Sequence, residues 1–107
     1  EPLPSCPFCG AMARPNILMF GDYSWEDART DAQRVRLGIW INELEKEGAK
    51  LAIVEMGAGT AVPTVRNTSE QIALRFNVPL IRINPRESFG AKIELPMGAV
   101  EALDRII

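Results

Sequence analysis

The chain has 107 residues, 47% of them hydrophobic and 24% charged, with a formal net charge of -2. That length holds one core rather than two, and the balance is that of an ordinary folded protein, not a disordered one. The near-neutral charge supplies no basic field, which argues against nucleic acid or an acidic membrane as partner. Apolar runs such as Leu51 to Val54 fall far short of a membrane span. Glu1-Pro2-Leu3-Pro4 has neither the basic start nor the apolar run of a secretory signal, so a cytoplasmic location is expected. There is no histidine, so imidazole is excluded as a general base within this chain.

The first segment, residues 1 to 15, is rich in Pro, Gly and Cys and reads as irregular loop. Asn16-Ile17-Leu18-Met19-Phe20 is a short apolar run closed by Gly21-Asp22, which predicts a buried strand. Ser24 followed by Trp25-Glu26-Asp27 has the form of a helix start. Ala28, Ala32, Val35 and Ile39 then recur at helical steps, with Trp40 and Leu44 extending the apolar face and Gly48 ending it. Leu51 to Val54 reads as a second strand, running into Gly57-Ala58-Gly59-Thr60.

Thr68-Ser69-Glu70-Gln71 has the pattern of a capping box, opening a helix with Ile72, Ala73 and Phe76 inward. Asn77 and Pro79 stop it. Leu80 to Asn84 is a third strand, with Arg82 in its interior. Met97 to Ile107 is a last amphipathic helix with Val100, Leu103 and Ile107 inward. Strand and helix alternate throughout, which predicts a parallel sheet with helical crossovers. Ligands of such sheets bind at the carboxyl ends of the strands. Those ends are Phe20-Gly21-Asp22, Gly57-Ala58-Gly59 and Asn84-Pro85.

Glycine after a strand lets a ligand approach the backbone and leaves N–H groups for ribose or phosphate oxygens. Many strand-to-helix turns need glycine only for its dihedrals, so a single Gly-x-Gly leaves both readings open. A carboxamide at Asn84 can donate to and accept from ribose hydroxyls, or simply serve the turn before Pro85. Cys6 and Cys9, two residues apart, can face one zinc ion or form a redox pair. Redox pairs sit where a helix N-terminus lowers the thiol pKa. No helical pattern follows here, which favours zinc, although structural zinc takes four ligands and the chain offers two cysteines.

Together the pieces are more specific than any one. Cys-Pro-Phe-Cys-Gly and then Arg14-Pro15-Asn16-Ile17-Leu18-Met19-Phe20-Gly21-Asp22 resemble the sirtuin stretch in which the second zinc pair precedes Arg-Pro, an apolar strand and Phe-Gly-Glu. Val54-Glu55-Met56-Gly57-Ala58-Gly59-Thr60-Ala61-Val62-Pro63 is similar to that family's Gly-Thr-Ser loop. Leu80-Ile81-Arg82-Ile83-Asn84 is similar to its Ile-Asn strand end, and Ala99 to Leu103 to its closing helix. The resemblance covers nearly all of this chain and the second half of a sirtuin.

It implies a three-layer α/β, Rossmann-like parallel sheet over residues 16–107, with half of a zinc ribbon over residues 1–15. It further implies NAD-dependent deacylation of lysine on proteins, giving nicotinamide, the free lysine and an O-acyl-ADP-ribose. By position, Cys6 and Cys9 would be two of four zinc ligands. Leu18, Phe20 and Gly21 would line the groove for an acyl-lysine protein or peptide. Gly57, Ala58 and Gly59 would meet the NAD ribose and phosphate region, and Asn84 the adenosine ribose. The family's catalytic histidine, its Gly-Ala-Gly-Ile-Ser cofactor loop and its first cysteine pair have no counterpart here. The chain is therefore expected to be inactive alone and to need the remaining N-terminal half of the fold. Ala58 and Gly59 stand where the family carries Thr and Ser, Asp22 where it carries Glu, and Tyr23-Ser24-Trp25 in place of a shorter turn. These departures point to a divergent, bacterial subfamily. The reading from another class is a non-catalytic nucleotide-binding or interaction module that kept the fold and lost the chemistry.

Overall fold

The computed structural model describes residues 3–106. The chain separates into two compact units, Glu1–Asn42 and Glu43–Ile107.

In the first unit a small hairpin carries both cysteines. Ser5 and Met12 form an antiparallel bridge, Cys6 N–H donates to Ala11 O at 2.7 Å, and Gly10 N–H closes the turn on Cys6 O at 2.9 Å. Gly10 has φ +73°, a conformation that an L side chain resists. The strand expected over Asn16 to Phe20 does not form. Its side chains face water, Phe20 99% exposed, and among the described residues no strand pairs with its backbone. Polar contacts order the segment instead. The Arg14 guanidinium donates to Ile17 O at 3.1 Å and pairs with Asp22, while Gly21 turns the chain at φ +75°.

Helix α1 spans Ala28–Lys46 and crosses from the first unit into the second. It starts four residues after Ser24, because the Ser24 hydroxyl faces Asp22 at 3.5 Å and the first helical bond runs from Asp31 N–H to Asp27 O. Its expected apolar stripe does not form a core within these units. Val35, Ile39 and Trp40 are more than half exposed, and Ile41 is the buried position.

The second unit is a small α/β structure. Strand β1 is Ile53–Met56, helix α2 Thr64–Phe76, strand β2 Leu80–Ile83, strand β3 Ile93–Leu95 and helix α3 Ala99–Ile106. The three strands form one parallel sheet in the order β1-β2-β3. The expected parallel sheet with a helical crossover is thus present between β1 and β2, in an arrangement compatible with a Rossmann-like fold. Its members differ from the expected set, since β3 takes the place of Asn16 to Phe20 as the third strand.

Helix α2 begins four residues before Thr68, so Thr68 and Ser69 are not a cap. Their hydroxyls bond back to Thr64 O (2.8 Å) and Val65 O (3.0 Å) inside the helix, the local alternative open to mid-helix Ser and Thr. The helix ends as expected at Asn77, in the left-handed region at φ 51°. Helix α3 buries Ala102, while Val100 and Leu103 are exposed; the inward placement expected of Ile107 lies outside the described residues.

Between β2 and β3 the chain returns through residues 84–92 with no helix. An irregular return leaves backbone carbonyls without ladder partners, and buried carbonyls must find donors. Two arginines provide them. Arg66 of α2 donates to Ala58 O (3.3 Å), Glu87 O (2.9 Å) and Phe89 O, with its guanidinium 4.8 Å from the centre of the Phe89 ring. Arg82 of β2 donates to the same Phe89 O at 2.9 Å. Its other nitrogens pair with Glu55, its register neighbour on β1, and with Glu70 of α2 at 2.8 Å. Arg82 and the Glu55 side chain are fully buried. Among the described residues no helix is long and apolar enough to cross a membrane.

Candidate functional site: the glycine turn after β1

Strand β1 delivers Gly57 to the carboxyl edge of the sheet. Gly57 N–H extends the ladder by donating to Ile83 O at 2.9 Å, and its φ is +73°. A Cβ built on Gly57 meets nothing within 4 Å, so the residue is glycine for its dihedral and its open side, not for packing. The turn then runs through Ala58, Gly59 and Thr60 to Pro63, which precedes the first turn of α2 without a side-chain cap. The N–H groups of Ala58 and Gly59 make no hydrogen bond among the described residues. Backbone donors near an uncapped helix start are the feature that meets ligand oxygens in nucleotide-binding turns.

Asn84, one residue past β2, is buried, with 6% of its surface exposed. Its Nδ2 donates to Ala58 O at 3.1 Å, and its Oδ1 accepts from Arg86 N–H and Glu87 N–H, both at 2.9 Å. The carboxamide braces the glycine turn against the loop after β2. The four residues expected to contact NAD, Gly57, Ala58, Gly59 and Asn84, therefore lie together at one edge of the sheet. Asn84 holds its place through three internal bonds, with one Nδ2 hydrogen to spare.

Compared with family models, curated proteins and solved structures, the chain matches none.

Sequence reasoning missed two residues of this edge. Thr60 donates its hydroxyl to Glu87 Oε1 and its N–H to Glu87 Oε2 at 3.3 Å. The turn does keep a side-chain hydroxyl, one position later than the expected loss at Ala58 and Gly59 suggested. The Thr60 hydroxyl, foremost, and then its N–H hold the Glu87 carboxyl below its ordinary pKa, helped by the charges of Arg66 and Arg86. Glu87 was invisible because its partner is 27 residues away; the one local signal was Asn84-Pro85, which announces a turn that folds the next residues back.

The other expected site residues lie in the first unit. Leu18 and Phe20 are exposed and Gly21 turns the chain. Cys6 and Cys9 share one turn as free thiols. The backbone N–H groups of Cys9 and then Phe8, followed by the Cys9 thiol, lower the pKa of Cys6. That environment favours the thiolate, the form that binds metal. Among the described residues no group of three or more His, Cys, Asp or Glu could hold a metal ion, whereas structural zinc takes four ligands.

Within the second unit a broad concavity of about 610 Å³ is lined by Leu74, Pro79, Leu80 and residues 90–92 among others. Those residues mark the starts of β2 and β3, not their ends. It is open, and its polar lining is Glu70, which is tied to Arg82, together with Asn77 and Lys92.

Proposed function

We propose that this chain is the NAD-binding, C-terminal portion of a sirtuin-type protein lysine deacylase. The observation that carries the reading is the Gly57–Thr60 turn, with free N–H groups on Ala58 and Gly59 and with Asn84 braced against it, at the carboxyl edge of a parallel sheet. Gly57, Ala58 and Gly59 would hold the nucleotide by backbone contact, and Asn84 would fix the turn and offer its remaining hydrogen to the adenosine ribose. NAD, when bound, supplies the electrophilic carbon that receives the acyl oxygen of the substrate. Leu18, Phe20 and Gly21 would form the groove for an acyl-lysine segment, and Cys6 and Cys9 half of a zinc ribbon. The remaining half of the fold would supply the base, since this chain carries no histidine. That same absence favours, as a second reading, a nucleotide-binding module without catalysis.

The test is an amide NMR titration of the chain with NAD. Shifts concentrated at Gly57 to Thr60 and around Asn84 are expected at millimolar NAD, weak because part of the cradle is missing. Uniform silence at those amides would remove the nucleotide reading. Nicotinamide release from NAD and an acetyl-lysine peptide should be absent with this chain alone; release would show that a base exists within it.

A further inference from the structure

The concavity of about 610 Å³ lies where β2 and β3 start, at the edge of the sheet opposite the glycine turn. Its volume is that of a small-molecule site, roughly 300–1,000 Å³. Three stretches build it: the last turns of α2, the link from Asn77 into Leu80, and Gly90 to Lys92 before β3. Most of the wall is apolar. Leu74 stands 83% exposed there, bare surface that contact with hydrocarbon would remove from water.

The free polar capacity of this wall is of one kind. Glu70 is engaged, because its Oε1 accepts from Arg82 at 2.8 Å and lies 3.9 Å from Arg66. Glu94 reaches the wall through its Oε1, which accepts from Gly90 N–H at 2.7 Å. The side chains of Lys92 and Asn77, by contrast, make no hydrogen bond or ion pair among the described residues. An ammonium offers donors only, and a carboxamide donates through its nitrogen. Asn77 is set in place by its left-handed cap at φ 51°, with its N–H on Leu74 O at 3.2 Å. Lys92 is exposed, and its long stem can carry the ammonium over an apolar surface.

We propose that this concavity binds a small carboxylate with an apolar body: Leu74, Val78, Pro79 and Ala91 take the hydrocarbon, and Lys92, with Asn77, takes the carboxylate. The site is independent of the nucleotide reading. Charge selects the class of ligand. Arg66 and Arg82 face Glu55 and Glu70, two cations against two anions, which leaves Lys92 as the cation of the wall without an internal partner among the described residues. A cationic ligand would meet Lys92 as a like charge and find Glu70 committed. A neutral apolar ligand would fill the wall and leave the ammonium unused. A carboxylate uses both, and a hydrogen bond between charged groups is about twice as strong as a neutral one.

The experiment titrates the full chain with hexanoate, 1-hexanol and acetate, followed by amide shifts. Hexanoate should shift the amides from Leu74 to Leu80 and from Gly90 to Lys92. The same amides should answer 1-hexanol roughly tenfold more weakly, and acetate not at all, since it lacks the hydrocarbon. Lys92→Gln should bring hexanoate down to the level of 1-hexanol and leave 1-hexanol unchanged. Leu74→Glu, which sets a carboxylate on the apolar wall, should abolish hexanoate binding. Both side chains are exposed, and unchanged β1 and β2 amides show that each variant is folded. Equal binding of hexanoate and 1-hexanol by wild type would overturn the proposal, as would a Lys92→Gln chain that keeps the wild-type preference. Shifts as strong at the exposed apolar residues of α1 and α3 would reduce the effect to general adsorption and overturn it too. So would silence of the concavity toward all three probes. Each of these outcomes leaves the Gly57–Thr60 reading to the NAD titration.

Discussion

Asn84 shows how a residue's role can move while its position stays as expected. From sequence it is a carboxamide at a strand end that either meets a ribose or serves the turn before Pro85. In the structure it makes three bonds from a buried position. Asn84→Ala leaves Ala58 O and two N–H groups without that partner, and should cost about 2 kcal/mol or more of stability, since each bond contributes about 0.5–1.5 kcal/mol net. Urea denaturation measures this, and an unchanged midpoint would mean that the brace is idle. Glu87 gives the pH counterpart. Its folded pKa lies below the ordinary 4.5, so its tie to Thr60 stabilises above that value and fades as pH falls through the folded one. Glu45, lowered by its bond to Arg75, acts in the same direction. The urea midpoint should stay flat from about pH 7 to 5 and drop below. Glu87→Gln should remove part of that drop, with the Thr60 amide no longer titrating.

At the scale of elements, the row Glu55, Arg82, Glu94 runs across all three strands on neighbouring registers. Arg82 stays charged because the hydrogen bond it donates to Glu55, more than any other contact, raises its pKa against the desolvation that burial imposes. Arg82→Met leaves Glu55 buried without its partner, which costs about 3–5 kcal/mol, a large part of a small domain's total. Adding Glu55→Leu removes the stranded charge and should recover much of that loss. Denaturant midpoints of the single and double variants test this, and additivity of the two changes would refute the coupling. Arg82 is thus where the sequence placed it, inside β2, and it also anchors Phe89 O. The same contrast explains what was legible. Leu80 to Ile83 and the stop at Asn77 are written in local pattern, in a run of branched residues and in a left-handed cap. Ile93-Glu94-Leu95 is too short to announce itself and becomes a strand by pairing with β2. Asn16 to Phe20 has the apolar pattern of a strand and no strand to pair with among the described residues, and pattern without pairing does not make a sheet. Of the candidate site, the glycines and Asn84 could be placed from strand ends, whereas Thr60, Arg66 and Glu87 depend on contacts 21 to 27 residues apart.

For the whole molecule, the cysteine pair yields the most decisive measurement. Cys6 and Cys9 offer two thiolates from one turn, and Cys9 is exposed. The N–H groups of Cys9 and Phe8 lower the Cys6 pKa and so favour its thiolate. Zinc completes a tetrahedron with four ligands, and a chain supplying two can saturate it by sharing the ion with a second copy. Zinc added to the reduced chain should therefore bind with two chains per ion, and the sedimenting mass should double with zinc and fall back with chelator. Binding should release protons and strengthen as pH rises, because each thiol must ionise to coordinate. Cys9→Ser should abolish both the binding and the doubling, leaving the glycine turn and its amide spectrum as they were. A tight one-to-one site in a chain that sediments as a monomer would contradict this, and would require two further ligands from groups other than cysteine.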